Sequence, residues 1–340
     1  MGLLKKIGLG ILGVVILLTI VAFLLPRTAH MERSIAITAP RATVFSILHG
    51  FRSFNKWSPW AEMDPQARYT YEGPDFGVGA KQTWSGNPKT VGTGYQQITE
   101  VRPPESITSD LDFGAQGKAV TRFLLASDGR GTRVTWILDA DMGMNPVSRY
   151  FGLMFDRMMG PDFEKGLAKL KIYAESLPKV DFDGLPVEKV TVQSVPVAFL
   201  PATSSRDDQA IAAAIGAAYH QVGLFIAAQG LKMTGAPITI NTRLDDAGYA
   251  FDAAVPVDRF PDQEVDLASP VKVKQTYAGP ALKVVHKGPY HGLTATYEKI
   301  YTFAAANSYE PAGSSWDEYV SDPGNTPEAE LITNVFVPVK

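Results

Sequence analysis

The hydrophobic and polar positions along the chain fall into three regimes. From Ile7 to Leu25 the run IGLGILGVVILLTIVAFLL carries no charge and one hydroxyl, Thr19. As a helix rising about 1.5 Å per residue it would extend about 28 Å, close to the thickness of a bilayer's hydrocarbon core. From Met31 to about Leu177, short stretches alternate apolar and polar residues between Gly and Pro punctuation, and a long one-sided apolar pattern follows. From Glu188 onward, strand-like and helix-like patterns take turns twice over.

Lys5 and Lys6 precede the first run and Pro26-Arg27 ends it, with no A-x-A-like cleavage site after Leu25. This predicts an uncleaved anchor in residues 1–30 with its span at 7–25, rather than a signal peptide. Lys5 and Lys6 favour a cytoplasmic N-terminus, whereas Arg27 and Arg33 on the other flank weaken that bias, so the side of the soluble domains stays open. The expected localisation is single-pass, in a bacterial inner membrane. Gly8, Gly10 and Gly13 spell G-x-G-x-x-G, but inside a membrane span this has no phosphate to cradle and is discarded as a dinucleotide fingerprint.

The second regime, residues 31–178, reads as one α+β domain. RSIAITA is a strand, Pro40 opens a short helix through Val44, Phe45 and Leu48, and WSPW (Trp57–Trp60) is a turn with two aromatic anchors. GAKQTWSG, GTGYQQITEV, SITSDLDF, GKAVTRFLLAS and GTRVTWILDADM are antiparallel strand candidates, with Asp128-Gly129 as a hairpin turn. Asn145-Pro146 is a helix start, and Gly160-Pro161 should break or kink the helix that follows. Met154, Met158 and Met159 read as core filler ahead of cavity lining.

WSPW followed by Asp64-Pro65, the strand series and MMGPDFEKGLAKLK (Met158–Lys171) resemble the START-like, polyketide-cyclase/dehydrase-type superfamily. The resemblance implies a helix-grip fold in which a curved sheet and a long helix enclose an apolar cavity.

A Pro/Gly/Asp-rich linker occupies residues 179–187, and residues 188–340 contain an internal repeat. AYHQVGLFIAAQGLKMTG (Ala218–Gly235) overlays TYEKIYTFAAANSYEPAG (Thr296–Gly313) at an ungapped offset of 78, with Tyr219 over Tyr297. VPV at Val255–Val257 recurs at Val337–Val339. Each copy reads strand, helix, strand, strand, with Ser204 or Ser205 as cap of the first helix. Two such halves should join their sheets with both helices on one side and leave a groove at the pseudo-twofold junction. HKGPYHGL, WDEYVSDP (Trp316–Pro323) and the terminal VPV resemble the GyrI-like small-molecule-binding domain, the effector-binding module of AraC- and MerR-type regulators. That family also supplies a precedent for fusion to a START-like domain behind a membrane segment.

Composition then narrows the chemistry. The chain has 340 residues and no cysteine, which removes disulfides, thiolate nucleophiles and Cys-ligated metals. The net charge of −3 makes no bulk electrostatic case for nucleic acid, and no helix-turn-helix is visible. Gly288-Pro289 reads as the turn that feeds a strand into a helix; His286 and His291 lack the partners of a metal site, and no cofactor is expected. The groove candidates are Tyr219, Phe225, Tyr290, Tyr297, Tyr301, Trp316, Glu318 and Tyr319, suited to a small apolar or cationic ligand.

Two functions compete: a membrane-anchored binder or sensor of small molecules, and a hydrolase of strained electrophiles. The resemblance implies that hydrolytic members use a groove acid and a tyrosine, with an acid directly after the threonine of the last strand. Here that place is Thr333-Asn334, which favours the binder. For a hydrolase Glu318 could substitute as the acid with Tyr290 beside it, and Asp252 holds the matching place in the first copy.

Overall fold

The computed structural model describes residues 2–129, 131–262 and 268–340. They form two compact units, one reaching to Asp183 together with Ala306–Ser308, the other comprising Gly184–Ala305 and Tyr309–Lys340.

The first unit opens with α1 (Leu3–Leu24), followed by β1 (Thr28–Ile37), α2 (Arg41–Leu48), α3 (Phe54–Trp57) and α4 (Trp60–Met63). Six strands come next: β2 (Arg68–Glu72), β3 (Lys81–Ser85), β4 (Thr93–Arg102), β5 (Ser106–Asp112), β6 (Lys118–Asp128) and β7 (Gly131–Asp141). They form an antiparallel sheet in the order β1-β7-β6-β5-β4-β3-β2. Two helices close the unit, α5 (Pro146–Gly152) and α6 (Phe155–Ser176).

Helix α6 buries Phe163, Leu167, Leu170 and Ala174, a spacing that keeps one face on the sheet. Phe163 stacks on Trp136 of β7 with centroids 3.9 Å apart, and Trp57 and Phe123 complete the aromatic centre. The Trp136 indole N–H donates to Thr121 Oγ1 at 2.8 Å, so this ring is buried without an orphan donor.

Two expectations for this region are corrected. The helix break falls at Leu153–Met154, not at Gly160-Pro161, and α6 runs through Pro161. Gly160 has another task. The Arg33 guanidinium bonds Asp156 at 2.8 Å and Glu164 at 2.9 Å, one turn to either side, and so lies across the glycine. A Cβ there would come 2.4 Å from its Nη2. Met154 and Met158 are not interior at all: they are 52% and 56% exposed.

Helix α1 is long and apolar enough to cross a membrane by length and composition, and so is one helix of the second unit. That second unit contains β8 (Glu188–Val192), β9 (Pro196–Ser204), α7 (Asp208–Ala228), β10 (Ile238–Asp245) and β11 (Gly248–Pro256). It continues with β12 (Lys272–Gln275), β13 (Gly279–Lys287), α8 (Leu293–Ala306), β14 (Trp316–Tyr319) and β15 (Ile332–Pro338). Helix α7, the second membrane-length helix, buries Ala218, Val222 and Ile226 in core shared with β9 and β11. Its N-cap is Asp207, which accepts from the Ala210 amide at 2.9 Å, rather than Ser204 or Ser205. The serine candidates fail because β9 runs on to Ser204.

The sheet order is β12-β9-β11-β10-β14-β15-β13-β8, all antiparallel. The duplication is visible in it. β9-β11-β10 and β14-β15-β13 are mirror orders about the β10–β14 pair. Equivalent details repeat: Met233 bridges Val257 as Pro311 bridges Val339, and Thr234 N–H donates to Pro256 as Ala312 N–H donates to Pro338. An unexpected element accompanies them. β8 precedes the first copy in the chain yet pairs with β13 of the second, and β12 precedes the second yet pairs with β9 of the first. Each half therefore covers the outer edge of the other, which removes two long free edges.

Candidate functional site

The halves meet where β10 pairs with β14. Thr239 lies opposite Asp317, and these two are repeat partners at the offset of 78, so the pseudo-twofold axis passes between them. Two tyrosines related by the same offset descend on the pair. Tyr219 of α7 brings its hydroxyl to 3.0 Å from Thr239 Oγ1, and Tyr297 of α8 donates to Asp317 Oδ1 at 2.8 Å. Asn241 extends the network: its Nδ2 donates to the Tyr297 hydroxyl at 2.8 Å, and its Oδ1 accepts from the Tyr249 hydroxyl at 2.5 Å. Tyr319 stands edge-on to both Tyr219 and Tyr290, with centroids 6.4 and 5.3 Å away.

The strand-to-helix turn sets Tyr290 in place. Gly288 has φ +126, a backbone region L side chains rarely adopt, and Pro289 follows at φ −67. His286 staples the turn, with Nδ1 2.8 Å from Thr296 Oγ1 and Nε2 3.1 Å from the Pro289 carbonyl.

Asp317 is 4% exposed. Burial raises its pKa to about 6, while bonds from Tyr297 and Asn241 pull the other way. Burial likewise raises Tyr219, Tyr249, Tyr297 and Tyr319, and the Asp317 charge adds to each. These phenols therefore stay neutral donors, and at neutral pH the cluster holds one anionic centre ringed by aromatic faces.

Residues 185–340 match the family model of the GyrI-like small molecule binding domain, and residues 28–175 that of polyketide cyclase / dehydrase and lipid transport. The chain joins one domain of each family.

Among solved structures, the EcmrR C-terminal domain is 18% identical, covering 46% of this chain and 98% of that one, with a TM-score of 0.41. An EcmrR–DNA complex is 17% identical over 58% and 71%, at 0.40. A hydrolase from Listeria innocua is 14% identical over 45% and 91%, at 0.34. No curated protein matches significantly.

Within the GyrI-like domain, the structure divides the eight residues singled out from sequence. Tyr219, Tyr297 and Tyr319 gather around Asp317, Tyr290 joins them through its edge-on contact with Tyr319, and Tyr301 stacks on Tyr297 at 6.0 Å and is exposed. Phe225 instead packs into the first half's core beside Val222, Ile226 and Leu231.

Trp316 and Glu318 lie on the opposite face of the sheet. Strand alternation turns them away from Asp317 and Tyr319. Trp316 stacks on Phe336 at 4.8 Å and packs with Val197, Ile238 and Ala254, while Glu318 accepts from Asn334 Nδ2 at 2.6 Å. Glu318 and Tyr290 therefore do not form an acid–tyrosine pair. Asp252 also faces that side, bonded by Lys274 Nζ at 2.5 Å. The acid among the tyrosines is Asp317, which sequence reasoning passed over together with Tyr249, Asn241 and Thr239. One signal was available: residues 317 and 319 share a strand face, and 318 cannot join them.

Proposed function

We propose that the GyrI-like domain is a small-molecule receptor whose ligand is drawn to the tyrosine-ringed Asp317, and that α1 anchors it to a membrane. The ligand class is apolar and aromatic, with a delocalised cation favoured. What supports this is the meeting of a buried carboxylate with four buried tyrosines where the two halves join, since aromatic faces and a desolvated anion attract the same cations. The anchor reading draws on the length of α1 and on its docking to the folded domain. Arg149 donates to the carbonyls of Phe23 and Leu25, and Tyr150 donates to that of Leu18. Nucleic acid has no part in this reading, because the net charge of −3 supplies no bulk attraction.

Titration of the protein with aromatic quaternary ammonium compounds, followed by calorimetry, tests the site. Asp317→Asn should weaken these cations by roughly tenfold or more, as expected for loss of a desolvated cation partner, and leave neutral isosteres nearly unchanged. Equal affinity of wild type and variant for the cations would remove the reading. Turnover of epoxide- or cyclopropane-bearing electrophiles that Asp317→Asn abolishes would replace it with the hydrolytic one.

A further inference from the structure

The segment around α5 carries a group of large apolar side chains that the fold leaves outside. Met144, Val147, Phe151, Leu153, Met154 and Met158 are all exposed, the least of them by half. Six such residues within 15 positions are far more than a soluble surface scatters singly. Their position relative to α1 is fixed by specific bonds. The Arg149 guanidinium sits over the Phe23 ring at 5.2 Å and caps the end of α1 through the carbonyls of Phe23 and Leu25, at 3.1 and 3.2 Å. Tyr150 reaches further back, donating to the Leu18 carbonyl at 2.7 Å. Ala22, between these carbonyls in sequence, is fully buried. Leu18 lies six residues before Leu24, about 9 Å along a helix axis. Helix α5 is therefore level with the last two turns of α1 and not beyond its end.

We infer that α5 and its flanks, from Met144 to Met158, lie in the headgroup–acyl boundary of the bilayer as a second, in-plane membrane element beside the span. The inference rests on reading α1 as that span. Given the span, geometry leaves α5 no aqueous position, because residues bonded to Leu18 and Phe23 share their depth. The side chains suit the boundary depth: an apolar group with two exposed charges near its C-terminal end, Asp156, which pairs with Arg33, and Arg157, which would reach the headgroups. Arg149 stays out of lipid by spending its donors on α1 carbonyls and on Gly143. The arrangement would hold the START-like domain against the membrane surface at a set angle rather than on a free tether.

The absence of native cysteine makes the test direct. Single cysteines are placed at Phe151 and Met154, at Leu12 in α1, and at the exposed Val78. Each full-length protein is labelled with an environment-sensitive fluorophore and reconstituted in phosphatidylcholine–phosphatidylglycerol vesicles. Brominated lipid and aqueous iodide serve as quenchers. The expected result is lipid quenching at Leu12, Phe151 and Met154, with iodide quenching only at Val78. Lipid quenching at Leu12 with iodide quenching at both α5 positions would overturn the inference and leave the span standing. Shielding of the α5 positions from both quenchers would assign the patch to a protein partner and overturn it too. No lipid quenching at Leu12 would remove the span, and the inference with it.

Discussion

Asp317 gathers the electrostatics of the candidate site into one titrating group. Its carboxyl binds a proton more tightly in the folded chain, near pH 6, than the ordinary value of 3.8. The stability tied to that proton is complete below about pH 4 and is lost as pH rises through about 6. The loss is on the order of 3 kcal/mol for a shift of this size. Urea unfolding between pH 4 and 8 should show this fall in wild type and a flatter profile in Asp317→Asn. Affinity for a cationic ligand should move oppositely, rising from pH 5 to 7 as the carboxylate forms. The repeat-related tyrosines should differ in their hold on this group. Tyr297→Phe removes the donor that steadies the carboxylate and should raise its pKa further, whereas Tyr219→Phe loses only the Thr239 contact. Carboxyl-carbon NMR titration distinguishes the two, and equal shifts would contradict the assigned bonds.

Individual elements are stabilised in ways that their own patterns announce unevenly. Phe163, Leu167, Leu170 and Ala174 carry a helical period, and the structure buries them as that period predicts. Phe163→Ala, which empties the stack against Trp136, should cost about 3–5 kcal/mol in chemical denaturation. The run KVTVQSVPVAFL reads as one strand, yet it divides into β8 and β9, which end on opposite halves of the sheet. Local alternation holds no information about which edge a strand will join. Deleting residues 188–192 should therefore uncover β13, lower the melting temperature and promote association through the free edge, seen by sedimentation velocity. An unchanged sedimentation coefficient and an unchanged melting temperature would show that β8 adds nothing. The break at Leu153–Met154 was equally hidden. Pro161 is the stronger local breaker, but packing of α6 on β1 around Arg33 and Gly160 keeps the helix running through it.

For the whole molecule, the prediction concerns partition between membrane and water. Removing residues 2–25 takes away α1 and should move the protein from the membrane pellet to the supernatant. It should also leave the α5 patch to drive residual vesicle binding, weaker and reversible, as one in-plane apolar segment gives. Flotation with lipid vesicles measures both. Full-length protein found in the supernatant would remove the anchor.

By itself the sequence determined the two domain families, the apolar first helix, the duplication and the tyrosines at equivalent helical positions. These are encoded in local period, in turn residues and in self-similarity at an offset of 78, none of which needs distant contacts. Tertiary structure alone decided which acid those tyrosines surround, because a strand's two faces are equivalent until the sheet packs and one of them meets helices. It also decided that β8 and β12 change halves, and that Met154 and Met158 face outward. Each of these depends on pairing between residues far apart in the chain, where the energy lies in the partner and not in the residue's own neighbours.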